Sequence, residues 1–256
     1  MREEESAENP VPPGITEPPG ITEPPGITEP NPQLPWGVRH VIYGWLLGQV
    51  AVVLVVIAIN AVDSGIDLDD PSLEITAILQ AALWVGTLGI PVWLYLIKGV
   101  SWKDFGWEFQ KNDILPGLLI GLGTQIAAGL FYLPLYVIFD DIDVSEPARE
   151  LVDKATGLGV FLLFLVVVVG APVVEEIFYR GLTLKAFEKK MGGRLALVVS
   201  SLLFAVAHLQ LIQFPALFLF GVVAAYLARK YDRLGRAVWA HVGFNATTVV
   251  ALLLQG

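Results

Sequence analysis

From residue 41 to residue 255 the chain repeats one pattern, a long apolar run followed by a short polar loop. The runs fall near 41–62, 77–97, 114–139, 158–178, 195–210, 211–228 and 237–255. Most have the length a bilayer demands, about 17–25 residues. Backbone N–H and C=O groups in hydrocarbon must be satisfied within the segment, so each run is expected to be a helix. The predicted fold class is all-α, a polytopic transmembrane helix bundle of about seven spans; an eighth would require splitting one run. Composition agrees, with 55% hydrophobic and 16% charged residues, against about 45–50% and about 25% in soluble domains. There is no cysteine, which removes disulfides, thiolate nucleophiles and Cys-ligated zinc.

The loops give an orientation. With the N-terminus cytoplasmic, fourteen Lys and Arg residues fall in cytoplasmic segments and only Arg149 and Lys154 in external ones. The bias alternates loop by loop, as the positive-inside rule requires, and predicts a multi-pass cell-membrane protein with its C-terminus outside. The external stretches DSGIDLDD and DDIDVSEP are acidic. Residues 1–38 read as a disordered acidic tail, in which Pro12 to Glu29 form three copies of PPGITE, too rich in proline for helix or ladder. Residues 39–256 form the membrane domain, with a catalytic core expected at 158–250. Of the net charge of −9, the first 35 residues supply −6, from seven Glu and one Arg. The remaining body is close to neutral and has no basic face for nucleic acid.

Ionisable residues inside spans are rare and mark function. Here they concentrate in the last hundred residues: Glu175, Glu176 and Arg180 on the fourth run, His208 on the fifth, and His241 on the seventh, where the polar Asn245 follows one turn on. Measured by the helical rise of about 1.5 Å per residue, all lie between the cytoplasmic boundary and the midplane. Glu176 and Arg180, at i and i+4, can pair along one face, while Glu175 points about 100° away. His241 and Asn245 also share a face and suit two donors to a developing oxyanion. Glu175 and His208 suit a water-activating pair. The same residues also fit an ordinary helix-end salt bridge, a packed histidine, or a proton relay.

Three short motifs appear in order: EEIFYR at 175–180, FAVAH at 204–208 and HVGFN at 241–245. In these the chain resembles the CAAX protease and bacteriocin-processing family, the intramembrane glutamic endopeptidases that include type II CAAX prenyl proteases. The resemblance covers about 158–250. It implies peptide-bond hydrolysis near the cytoplasmic side of the membrane, with Glu175 and His208 activating water. It further implies that Glu176 and Arg180 support that site and that His241 and Asn245 stabilise the oxyanion. The implied partners are a peptide or protein substrate, lipid-modified in some members, and membrane lipid. No cofactor motif is present, and a zinc site on Glu175, His208 and His241 would lack the HExxH helix pair. The alternative is a non-proteolytic binding, immunity-type or transporter-like protein using the same polar pocket.

Overall fold

The computed structural model describes residues 34–138 and 143–255. The expected tail and its PPGITE repeats lie outside the described residues up to position 33. Among the described residues the packed chain begins at Leu34. Trp36 is buried, donates its indole N–H to the Leu182 carbonyl at 3.2 Å and stacks on Phe105 with ring centres 4.7 Å apart.

Eight helices follow among the described residues: α1 Val38–Val62, α2 Leu73–Lys98, α3 Ile114–Ile138, α4 Glu146–Asp153, α5 Leu158–Met191, α6 Gly193–Ala207, α7 Phe214–Tyr231 and α8 Gly235–Leu253. Short 3₁₀ turns at Trp102–Phe105 and Lys111–Asp113 link α2 to α3. All but α4 correspond to the seven apolar runs. Five of the helices, α1, α2, α3, α5 and α7, are long and apolar enough to cross a membrane. The other two are special cases. α6 has 15 residues, or about 22 Å, short of the ~30 Å hydrocarbon core. α8 carries His241 and Asn245 within its 19 residues. The outward faces of α1 and α3 expose Leu54, Ile57, Leu119 and Leu130, as expected where lipid replaces water.

Contacts fix which loops share an end. At one end Lys189 binds the Leu34 carbonyl, Lys185 the Asp104 carbonyl, Arg229 pairs with Glu188, and Arg233 with Asp113. At the other, Lys154 pairs with Asp70, Arg149 reaches Gln255, Gln213 donates to the Val144 carbonyl, and Tyr132 to the Ile212 carbonyl. The basic and acidic loops thus sort to opposite ends of the bundle.

α3 crosses α8 closely. A Cβ on Gly121 would meet the backbone of Ala240 and Phe244, and one on Gly243 would sit 2.6 Å from the Leu118 carbonyl. Small residues permit this approach, the usual way to gain packing energy where lipid removes the hydrophobic drive. Gly117 lies in the same seam, whereas Gly123 has open space around it.

α5 differs most from its predicted outline. The fourth run was expected to end near 178, yet the helix runs on to Met191, 34 residues in all. The helix runs through Gly181 and stops at Gly192, which ends it with φ at 78°. Two π-helical segments, Phe164–Gly170 and Ile177–Leu184, flank Ala171–Glu176. Pro172 gives the first a cause. It has no N–H, and Ala171 bonds back to the Val166 carbonyl, so the Val167 carbonyl is left for a partner outside the helix.

Candidate active site

Glu175 sits at the middle of α5, and its neighbours in sequence separate by direction, as the spacing predicts. Glu176 is fully buried and accepts from Arg180 Nη1 at 2.8 Å one turn along. Arg180, also buried, donates through Nη2 to the Gly221 carbonyl of α7 at 3.3 Å. Its guanidinium lies 4.5 Å from the Phe204 ring centre and 5.7 Å from that of Phe220. A buried ion pair is tolerable only when further hydrogen bonds and aromatic faces compensate the lost hydration. Both occur here.

His241 joins the two glutamates. Its Nδ1 lies 2.9 Å from Glu176 Oε1 and its Nε2 3.8 Å from Glu175 Oε2. Because an ionised carboxylate can only accept, the Nδ1 proton is committed to Glu176. That fixes the ring and directs Nε2 toward Glu175. Phe220 and Phe204 pack against the imidazole, with ring centres at 4.5 and 5.8 Å.

His208 closes α6. The next residue, Leu209, turns left-handed with φ at 55°, costly for a side chain with a Cβ, so the helix stops at the histidine. Its Nδ1 lies 2.8 Å from the Phe204 carbonyl. The carbonyl can only accept, so Nδ1 carries the proton and Nε2 remains an acceptor. Asn245, one turn beyond His241, donates from Nδ2 to the Val167 carbonyl at 2.8 Å. This is the carbonyl that Pro172 leaves free. One amide hydrogen of Asn245 remains available.

Glu175, His208, His241 and Asn245 line one cavity of about 360 Å³, together with Phe204 and Phe220. Glu176 and Arg180 lie behind it, out of contact with its space. All six residues singled out from the sequence therefore meet, four at the cavity wall and two in support. Three helices contribute, α5, α6 and α8. The pairing differs in one respect from expectation: the imidazole found nearest to Glu175 is that of His241. The third histidine, His40, stands apart, accepting from the Gly37 N–H at 3.1 Å beside Trp93.

Sequence reasoning missed Phe220, the Gly221 carbonyl and the Pro172–Val167–Asn245 link. None has a signal in one chain except Pro172, whose place three residues before the glutamates was a hint. It also missed the direction of the cavity. From Glu175 the space extends past Gln125 and Tyr132 of α3 to Ala148 of α4 and Gln210 of the α6–α7 turn, the end away from the Lys and Arg loops. Among the described residues no three His, Asp or Glu side chains gather closely enough to hold a metal ion.

The chain is 26% identical over 151 residues to "UPF0177 protein YbdI" of Lactococcus lactis, covering 56% of this chain and 81% of that one. It is also 26% identical over 151 residues to "Putative membrane peptidase YdiL" of Bacillus subtilis, covering 60% of that protein. No solved structure matches. Residues 157–247, which include all six side chains of the site, match the family model described as "Type II CAAX prenyl endopeptidase Rce1-like". Through this segment the chain is similar to the Rce1-like type II CAAX prenyl endopeptidases, as its three motifs suggested.

Proposed function

We propose that the protein is an intramembrane endopeptidase that hydrolyses a peptide bond with water activated at Glu175. The observation that carries this reading is the grouping of Glu175, His208, His241 and Asn245 around one cavity, with Glu176 and Arg180 paired behind it. Family similarity supplies the reaction class, and the geometry supports a division of labour.

Glu175 is the one carboxylate on the cavity wall, and it takes the proton as water oxygen adds to the carbonyl carbon. His208 holds the same water through Nε2, its Nδ1 proton being committed to the helix. The oxyanion that forms receives the free N–H of Asn245. His241 can add a second donor from Nε2 only when doubly protonated. Glu176 at 2.9 Å and Glu175 at 3.8 Å would balance that charge. Collapse breaks the C–N bond, and the proton held by Glu175 passes to the departing amine. Arg180 holds Glu176 in place, so that Glu176 can orient His241. One missing oxyanion donor typically costs about 10²–10³ in rate.

The protein purified from membranes tests this chemistry. Glu175→Gln should abolish cleavage while the helical content and melting profile stay as in the wild type; turnover by that variant would overturn the reading. Turnover should persist in strong chelator, with no bound transition metal on elemental analysis. Loss of activity in chelator, restored by zinc, would replace the glutamate mechanism with a metal one.

A further inference from the structure

The sequence led to an expectation of chemistry near the cytoplasmic side, but the cavity runs the other way. Its lining beyond Glu175 comes from the start of α2, the second half of α3, α4, the start of α5 and the α6–α7 turn. These parts share the end that holds Asp70, Asp143 and Lys154. The basic cluster of Lys185, Lys189, Arg229 and Arg233 lies at the opposite end and contributes nothing to the lining.

We propose that the catalytic cavity opens to the non-cytoplasmic side and takes an internal, uncharged and largely apolar peptide segment rather than a free C-terminal tail. The substrate half of this proposal rests on the proteolytic reading above; the side of opening does not. Three observations support it. First, the Lys and Arg distribution places the basic end in the cytoplasm, so the mouth faces outward. Second, the cavity wall has no Lys or Arg, and its one carboxyl is Glu175. A substrate carboxylate drawn in beside Glu175 would be desolvated with no Lys or Arg to meet it, whereas a neutral peptide segment brings no such charge. Third, the wall carries uncharged hydrogen-bonding groups suited to peptide backbone. Gln80, Gln125 and Gln210 face the space, and the Gln125 Oε1 is buried with no partner among the described residues.

The mouth is built to sit at the membrane surface. α4 turns Ala148 and Leu151 toward the cavity and exposes Glu146, Glu150 and Asp153. The turn beside it exposes Leu209 and Leu211, each at 89%, side chains that lipid would cover. Tyr132 pins that turn through the Ile212 carbonyl at 2.7 Å, and Gln213 ties it to Val144 at 2.7 Å. An apolar segment emerging from the bilayer can thus pass between α4 and the turn to reach Glu175.

The absence of native cysteine makes a labelling test direct. In intact cells expressing the full chain, Glu150→Cys should react with a membrane-impermeant maleimide, and Lys190→Cys should react only after permeabilisation. The reverse pattern would overturn the outward opening. Gln210→Cys should react from outside, and its modification should block cleavage. Failure to react, or full activity after complete modification, would overturn this route of entry.

Termini that appear in wild-type but not Glu175→Gln membranes should map to external or juxtamembrane apolar segments, with long stretches of chain remaining on both sides. Cuts within a few residues of cytoplasmic C-termini would overturn the substrate class. If the two membranes show no difference at all, the proteolytic reading fails, and labelling still decides the side of opening.

Discussion

The smallest unit that explains this site is the pair of adjacent glutamates, because one helical residue of rotation gives them different environments. Glu176 is fully enclosed with Arg180 at 2.8 Å and His241 at 2.9 Å, while Glu175 reaches the cavity. The two should therefore respond differently to substitution. Removing the guanidinium in Arg180→Met leaves a buried carboxylate uncompensated, a change that typically costs about 3–5 kcal/mol. Thermal unfolding in detergent should show that loss, and Glu175→Gln should show little of it. The division between the glutamates was legible from i to i+4 spacing alone. The contact of His241 with both was not, since it depends on how α8 meets α5, a relation between residues 65 apart.

At the scale of single helices, the informative element is α5. Its apolar length was readable, but its π segments were not, because a π turn follows from which carbonyls find partners in three dimensions. Pro172 removes a donor, and Asn245 takes the Val167 carbonyl that results. Pro172→Ala offers a backbone N–H to that region and should tighten the π turn, releasing Asn245. The expected outcome is lower turnover with melting temperature unchanged or raised, the reverse of what simple structural damage gives. Equal loss of both would contradict the link. In α3 the prediction concerns packing: Gly121→Val has no room against Ala240 and Phe244. Overpacking of this kind costs about 1–3 kcal/mol or more, and should appear as reduced folded yield with α3 and α8 separated. That glycines would serve close approach was foreseeable, while only the structure tells Gly117 and Gly121 from Gly123.

For the whole molecule, the pattern of bilayer-length runs determined the fold class, and the loop charges suggested its orientation. Nothing in a hydropathy pattern reveals where a cavity opens, since that depends on which helix ends splay and which are stitched. Here ion pairs such as Arg229–Glu188 and Arg233–Asp113 close the basic end, and space remains toward α4. The central claim is that this space is the reaction chamber of a protease with Glu175 as its base. Its most direct test is quantitative comparison of protein termini in membranes carrying wild-type protein or Glu175→Gln at equal abundance. A defined set of termini should be present only with the wild type, their uncut precursors accumulating in the variant. Identical sets of termini in the two membranes would contradict it.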